Sequence, residues 1–283
     1  MDGRLYINCT PFVPTYAATM AYHRPELVPA GKSMSQYLEE DVVPYVLGTY
    51  EPNLLKFMAA HKKYAASKSD EDKAAVDLAE IPMKEIRETM KNRFGVEILS
   101  SKGVPYNLKP ARFFEKDFVF PGKRIGRLDS RILGIRNFDS DPSSVTAVSG
   151  SHRPNLATVL AEANFEATAR YVISTDDTWD WSGHAIDGVP TIENPPVNSV
   201  DTIPDLQYTL KLNPKMKILA LVGMYDLAIP FHLTRVDMDR LSEVERRNLT
   251  LKVYPAGHSM YNTDAARIAM KADYEQFYSA AGR

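Results

Sequence analysis

Lys217 to Val222 (Lys-Ile-Leu-Ala-Leu-Val) is a nearly continuous apolar run that stops at Gly223. A strand wetted on one face alternates apolar and polar residues, whereas an unbroken apolar run is what a parallel strand covered on both faces requires. Parallel neighbours cannot be joined by a tight turn, so a crossover of a dozen or more residues, usually helical, has to follow. The sequence supplies one. Helix is expected at about Leu233 to Glu245, a second strand of β-branched and aromatic character at Leu249 to Tyr254, and a closing helix from Asp264 to Ala280. In that last helix Met270, Tyr274, Phe277, Tyr278 and Ala281 fall along one stripe. Strand, helix, strand, helix describes a right-handed parallel unit of an α/β sheet.

The first half of the chain has a different character. From about Ser33 to Gly95 it is helical: Ser33 with Gln36 makes a capping box, and Met34, Leu38, Val42, Tyr45 and Val46 recur at helical spacing, with a kink expected at Pro44. Further helices are expected over Asn53 to Tyr64 and Met83 to Phe94. Gly95 to Pro142 is irregular and glycine-punctuated and reads as long connecting loop. Pro154 to Thr168 is expected as helix, Tyr171 to Ile173 as a short strand, and Trp179 to Pro196 as a turn-rich loop. The division that follows is a region 1–150 of helices and connecting loops and a region 151–283 carrying the sheet.

Several classes of function are disfavoured at this stage. A net charge of −2, with basic residues scattered rather than striped, gives no field to attract nucleic acid. No apolar run approaches the roughly 20 residues of a membrane-spanning helix, and Met1 to Arg4 do not lead into a signal-peptide core. The single cysteine, Cys9, excludes a disulfide within the chain and a cysteine-based metal site. Asp176, Asp177, Asp180, His184 and Asp187 form an oxygen-rich run, but their spacing matches no calcium loop, and neither a metal nor a cofactor is expected.

Both C-terminal strands run into loops bearing a residue of catalytic type: Gly223-Met-Tyr-Asp226-Leu-Ala-Ile-Pro230 and Pro255-Ala-Gly-His258-Ser-Met-Tyr261. Parallel neighbours present both at one carboxyl edge, where α/β sheets place their ligands. A carboxylate beside a histidine fixes the imidazole tautomer and stabilises the imidazolium formed when the ring takes a proton from a serine. Asp226 and His258 are therefore candidate catalytic residues, although an aspartate after a strand is often a helix cap and a histidine before a serine is often structural. Trp179 and Trp181 are candidates to line a substrate pocket, as are Met260 and Tyr261. Arg127, Asp129 and Arg131 alternate in sign and read as a structural ion-pair network.

Gly-x-x-Asp-x-x-x-Pro after an apolar strand, followed about thirty residues later by Ala-Gly-His-x-Met, resembles the end of the serine carboxypeptidases, the bacterial branch most of all. Phe12-Val-Pro-Thr-Tyr-Ala-Ala-Thr19, Gly126-Arg-Leu-Asp-Ser-Arg131, Trp179-Asp-Trp181 and Asn213-Pro-Lys-Met-Lys217 are similar to segments of the same branch. The resemblance implies an α/β hydrolase with a helical cap insertion over the active site, releasing C-terminal residues from peptides through an acyl-enzyme. Members are often exported or lysosomal or vacuolar. His258 would be the general base and Asp226 its orienting partner.

The departure from the family lies in the nucleophile. Its serine sits in a Gly-x-Ser-x-Gly elbow well before the segment matching Phe12 to Thr19, and no Gly-x-Ser-x-Gly occurs in these 283 residues. Ser151, in the turn Ser149-Gly-Ser151, has the right chain order, but Arg153 stands where an elbow needs a small residue. The resemblance thus covers the C-terminal part of the family, which implies an incomplete α/β-hydrolase-like parallel sheet with an exposed edge. Two functions stay open: a serine-type carboxypeptidase or acyltransferase whose nucleophile lies on a separate or unannotated N-terminal segment, the reading frame being truncated or the protein made of two chains, or a non-catalytic relic or binding module of the same fold.

Overall fold

The structure is a computed structural model and describes residues 9–98, 105–115, 117–134, 141–144, 158–165 and 202–281. Ser151, the strand expected at Tyr171 to Ile173, Trp179, Trp181 and the acidic run from Asp176 to Asp187 lie outside the described residues.

A 3-10 turn, Thr10–Phe12, leads into helix α1, Val13–His23. Tyr16, Ala17, Ala18, Met20 and Ala21 are buried, and so are Thr15 and Thr19, so α1 runs through the interior rather than presenting one stripe. The next helix opens at Met34, and its capping box forms as expected: Gln36 N–H donates to Ser33 Oγ at 3.2 Å and Ser33 N–H to Gln36 Oε1 at 3.0 Å. Around Pro44 the helical path widens, with π turns at Leu38–Val42 and Val46–Tyr50 flanking Val43–Tyr45. These wide turns take up the proline ring and its missing donor, and the chain passes on into α2, Glu51–Ser67.

Helix α3 spans Asp70–Phe94 and corrects the expected start at Met83. Ser69 Oγ accepts from Asp72 N–H at 3.2 Å, and Asp70, Glu71 and Asp72 place negative charge at the helix N-terminus. The cap and charge start the helix well before Pro82, which it carries internally. Gly95, at φ +71°, ends it in the left-handed conformation that a side chain would strain. α2 and α3 pack side by side, with Leu54, Phe57, Met83, Ile86, Met90 and Phe94 in the main core. Gly95 to Pro142 is mostly loop, as expected, with a short helix, Pro110–Phe113, and a minimal antiparallel pair, β1 (Arg124–Ile125) and β2 (Leu133–Gly134).

The C-terminal third holds α4 (Ile203–Leu212), β3 (Ile218–Gly223), α5 (Phe231–Met238), β4 (Leu249–Tyr254) and α6 (Asp264–Ala281). β3 and β4 pair in parallel, from Ile218 opposite Leu249 to Gly223 opposite Tyr254. The crossover helix is shorter than expected. It stops at Met238, and a separate turn, Glu243–Arg246, starts from a second capping box in which Ser242 Oγ accepts from Glu245 N–H at 3.3 Å. The expected stripe on α6 is rotated: Ala266 and Met270 are buried, Asp273 and Phe277 partly so, while Tyr278 is 70% exposed. Positions 266, 270, 273 and 277 keep helical spacing, so the face toward β4 is set by Ala266 and Met270 packing on Tyr254 and Ala256. Altogether the chain is mixed α/β, mostly helical, with two small sheets among the described residues.

Candidate functional site

Pairing between β3 and β4 continues past the strand ends. Met224 N–H donates to Tyr254 O at 2.8 Å and Tyr225 N–H to Ala256 O at 3.0 Å, so the two loops leave the sheet edge side by side. The approach is close enough that a Cβ on Gly223 would stand 2.2 Å from Gly257 O. At the end of this zipper His258 Nδ1 lies 2.8 Å from Asp226 Oδ2.

The two side chains differ in environment. Asp226 is 4% exposed, and its other oxygen, Oδ1, accepts from the amides of Ala228 at 2.7 Å and Ile229 at 3.1 Å. Burial pushes its carboxyl above the ordinary aspartate range, and the Ile229 and Ala228 amides and His258 pull the other way without cancelling it. The His258 side chain is 41% exposed, and Nε2 makes no hydrogen bond among the described residues. The tautomer that carries its proton on Nδ1 would donate to the carboxylate and leave Nε2 as a proton acceptor.

His258 opens onto a cleft of about 210 Å³ that also touches Leu128, Asp129, Ser143, Asn262 and Thr263. Three of these belong to, or are held by, the segment Gly126 to Arg131, which lies between the two site loops. His258 N–H donates to Leu128 O at 2.7 Å, Ser130 N–H to Tyr225 O at 3.0 Å and Leu227 N–H to Arg127 O at 3.0 Å. The segment is secured in turn. Arg131 holds both oxygens of Asp129, at 2.9 and 2.6 Å, and donates to Pro255 O at 2.9 Å. Asp141 accepts from the Arg127 amide at 3.1 Å, and Ser143 Oγ accepts from the Leu128 amide at 2.9 Å. On the far side Thr19 Oγ1 meets Ser130 Oγ at 2.6 Å and His23 Nε2 meets Ser130 O at 3.0 Å. The buried helix α1 thus braces the segment that braces the site.

Of the residues expected from sequence, Asp226 and His258 come together. Met260 packs with the Tyr254, Ala256, Ala266 and Met270 cluster, Tyr261 is 58% exposed, and neither lines the His258 cleft. Arg131 and Asp129 form the expected ion pair, which also fixes the wall of the cleft. Sequence reasoning did not single out Leu128, Ser143, Asn262 or Thr263. The Gly126 to Arg131 motif carried a signal for the first, and nothing in the sequence pointed to the others.

Among the described residues no group of histidine, cysteine and acidic side chains is arranged to hold a metal ion, and no helix is long and apolar enough to cross a membrane. No family model matches the chain, and neither curated proteins nor solved structures show a match.

Proposed function

We propose that Asp226 and His258 are the orienting acid and general base of a serine-type hydrolase of the carboxypeptidase kind, acting on peptide substrates. The observation that carries this reading is the 2.8 Å contact between a buried carboxylate and a half-exposed imidazole at the ends of two neighbouring parallel strands. Asp226 would hold the Nδ1–H tautomer and stabilise the imidazolium, and Nε2 would take the proton of an attacking hydroxyl. In this reading β3 and β4 belong to an α/β-hydrolase-like sheet, region 1–150 is the helical insertion, and Trp179 and Trp181 contact substrate.

In this reading the nucleophile is the serine of a Gly-x-Ser-x-Gly elbow that these 283 residues do not contain. A non-catalytic binding module is the second reading, favoured because no hydroxyl or thiol among the described residues bonds the His258 ring. The two readings part in a reconstitution experiment with the N-terminal half of a serine carboxypeptidase. Co-expression is expected to give fluorophosphonate labelling of the elbow serine, none of the chain alone, and none with His258→Ala. Asp226→Asn, which presents the wrong tautomer, should slow peptide hydrolysis by roughly 10⁴-fold. Labelling that survives His258→Ala would sink the catalytic role, and a pair that co-purifies unlabelled would leave the binding module.

A further inference from the structure

A second cavity, of about 240 Å³, shares no lining residue with the His258 cleft. Met20, Phe113, Phe118 and Phe120 give it apolar and aromatic walls, and Arg24 and Lys91 bring two cations to it. Its one carboxylate, Glu97, is already engaged: Arg87 donates to both oxygens, at 2.7 and 3.3 Å, and Lys91 stands at 4.0 Å.

Arg24 is in the opposite condition. Half-buried at the end of α1, it donates from Nη2 to Gly95 O at 3.1 Å, while its Nε is buried without a hydrogen-bond partner, and no carboxylate pairs with it among the described residues. The guanidinium is nevertheless held in place. A Cβ at Gly95 would lie 2.2 Å from Nη2, so only glycine leaves room for the fork where it stands. A half-buried guanidinium that no carboxylate pairs among the described residues keeps donors open to an anionic acceptor at the cavity.

We propose that this cavity binds a small organic carboxylate with a single aromatic or compact apolar body, its carboxylate on the Arg24 fork and its body against Phe113, Phe118 and Phe120. A planar monoanion matches a guanidinium bidentately. A more highly charged phosphate suits the site less, because Glu97 stands in the same cavity and the remaining walls are apolar. The volume is below the roughly 300 to 1,000 Å³ of drug-sized sites, which limits the occupant to about one ring. The proposal does not depend on the His258 reading.

Phenylacetate and its neutral isostere phenylacetamide test it, with binding to the full chain followed by calorimetry and saturation-transfer NMR. The acid is expected to bind at least about tenfold more tightly than the amide, the worth of one charge-assisted pair. Arg24→Gln should abolish that preference in a protein whose melting is unchanged. Should that variant fail to fold, Phe118→Ala, which leaves the guanidinium in place, is expected to weaken the acid. Equal affinity for acid and amide, acid binding undiminished in Arg24→Gln or Phe118→Ala, or no binding of either probe at millimolar concentration would overturn the site.

Discussion

Burial raises the pKa of Asp226, and three hydrogen bonds hold its carboxylate in one orientation toward His258. Burial nevertheless keeps the carboxyl above its ordinary range. Sequence could place Asp226 at a strand end but could not show this burial, which depends on packing of distant segments. A second buried titratable group was not legible at all. His232, in the first turn of α5, is 5% exposed with neither ring nitrogen hydrogen-bonded, and burial lowers its pKa below the ordinary histidine value. Arg235 on its own helix adds to the lowering, while Glu39, Glu51 and Asp239 oppose it. The folded state therefore binds the proton less readily than the unfolded chain. Stability from His232 is present above the unfolded pKa and is lost as pH falls through the folded one. His232→Phe is expected to be more stable than the parent, with the gap in urea midpoint widening from about pH 7 to about pH 5, where histidines ordinarily titrate. A gap that stays constant or narrows toward acid would show that the ring is not held neutral.

Elements were legible where local chemistry sets them and obscure where tertiary packing does. Strand β4 and the capping box at Ser33 lie where the pattern puts them, because a hydrophobic run and a cap are short-range signals. The start of α3 lies well before the expected Met83 because the Ser69 cap and the acidic first turn carry the helix through Pro82, and the stripe on α6 is rotated because tyrosines tolerate solvent at their polar ends. The segment from Gly126 to Arg131 was recognisable as a motif, yet its work was hidden: it is wedged against both site loops. Gly257 is the tight point. A Cβ there would stand 2.5 Å from Leu128 O and 2.6 Å from Asp129 Cβ, backbone and packed side chain that cannot swing away. Gly257→Ala is expected to push the segment off the His258 loop, costing about 1 to 3 kcal/mol as overpacking does. It should also remove the downfield proton resonance of the Asp226 to His258 hydrogen bond. A variant of normal stability that keeps this resonance would mean that the segment does not set the pair's geometry.

At the scale of the whole molecule, the mixed α/β character and the parallel strand pair were readable from the apolar run together with the second strand and the helical patterns around it, but how much covers that pair was not. Ile218 through Leu221 on β3 are only half-buried, and Val222 and Gly223 are the strand's buried positions. Among the described residues no third strand joins β3 or β4, and none of them pairs with the outer row of backbone donors and acceptors of either strand. Such an edge is a template for another strand. Fully covering a side chain of this size is worth about 1.5 to 3 kcal/mol, so several half-covered ones forgo a sizeable part of a margin of about 5 to 15 kcal/mol. Apolar residues elsewhere add to the exposed surface, with Ile229 at 51% and Ile268 at 69%. The purified chain is therefore expected to self-associate as its concentration rises, with sedimentation velocity giving a weight-average mass above that of the monomer and thermal unfolding that is broad or irreversible. Lysine at an edge position is a standard guard against strand addition, so Thr250→Lys, on the exposed part of β4, should shift the distribution back toward monomer. A monomer at every concentration with a sharp, reversible melt would show that the strand pair is adequately covered and that its edge is closed to partners.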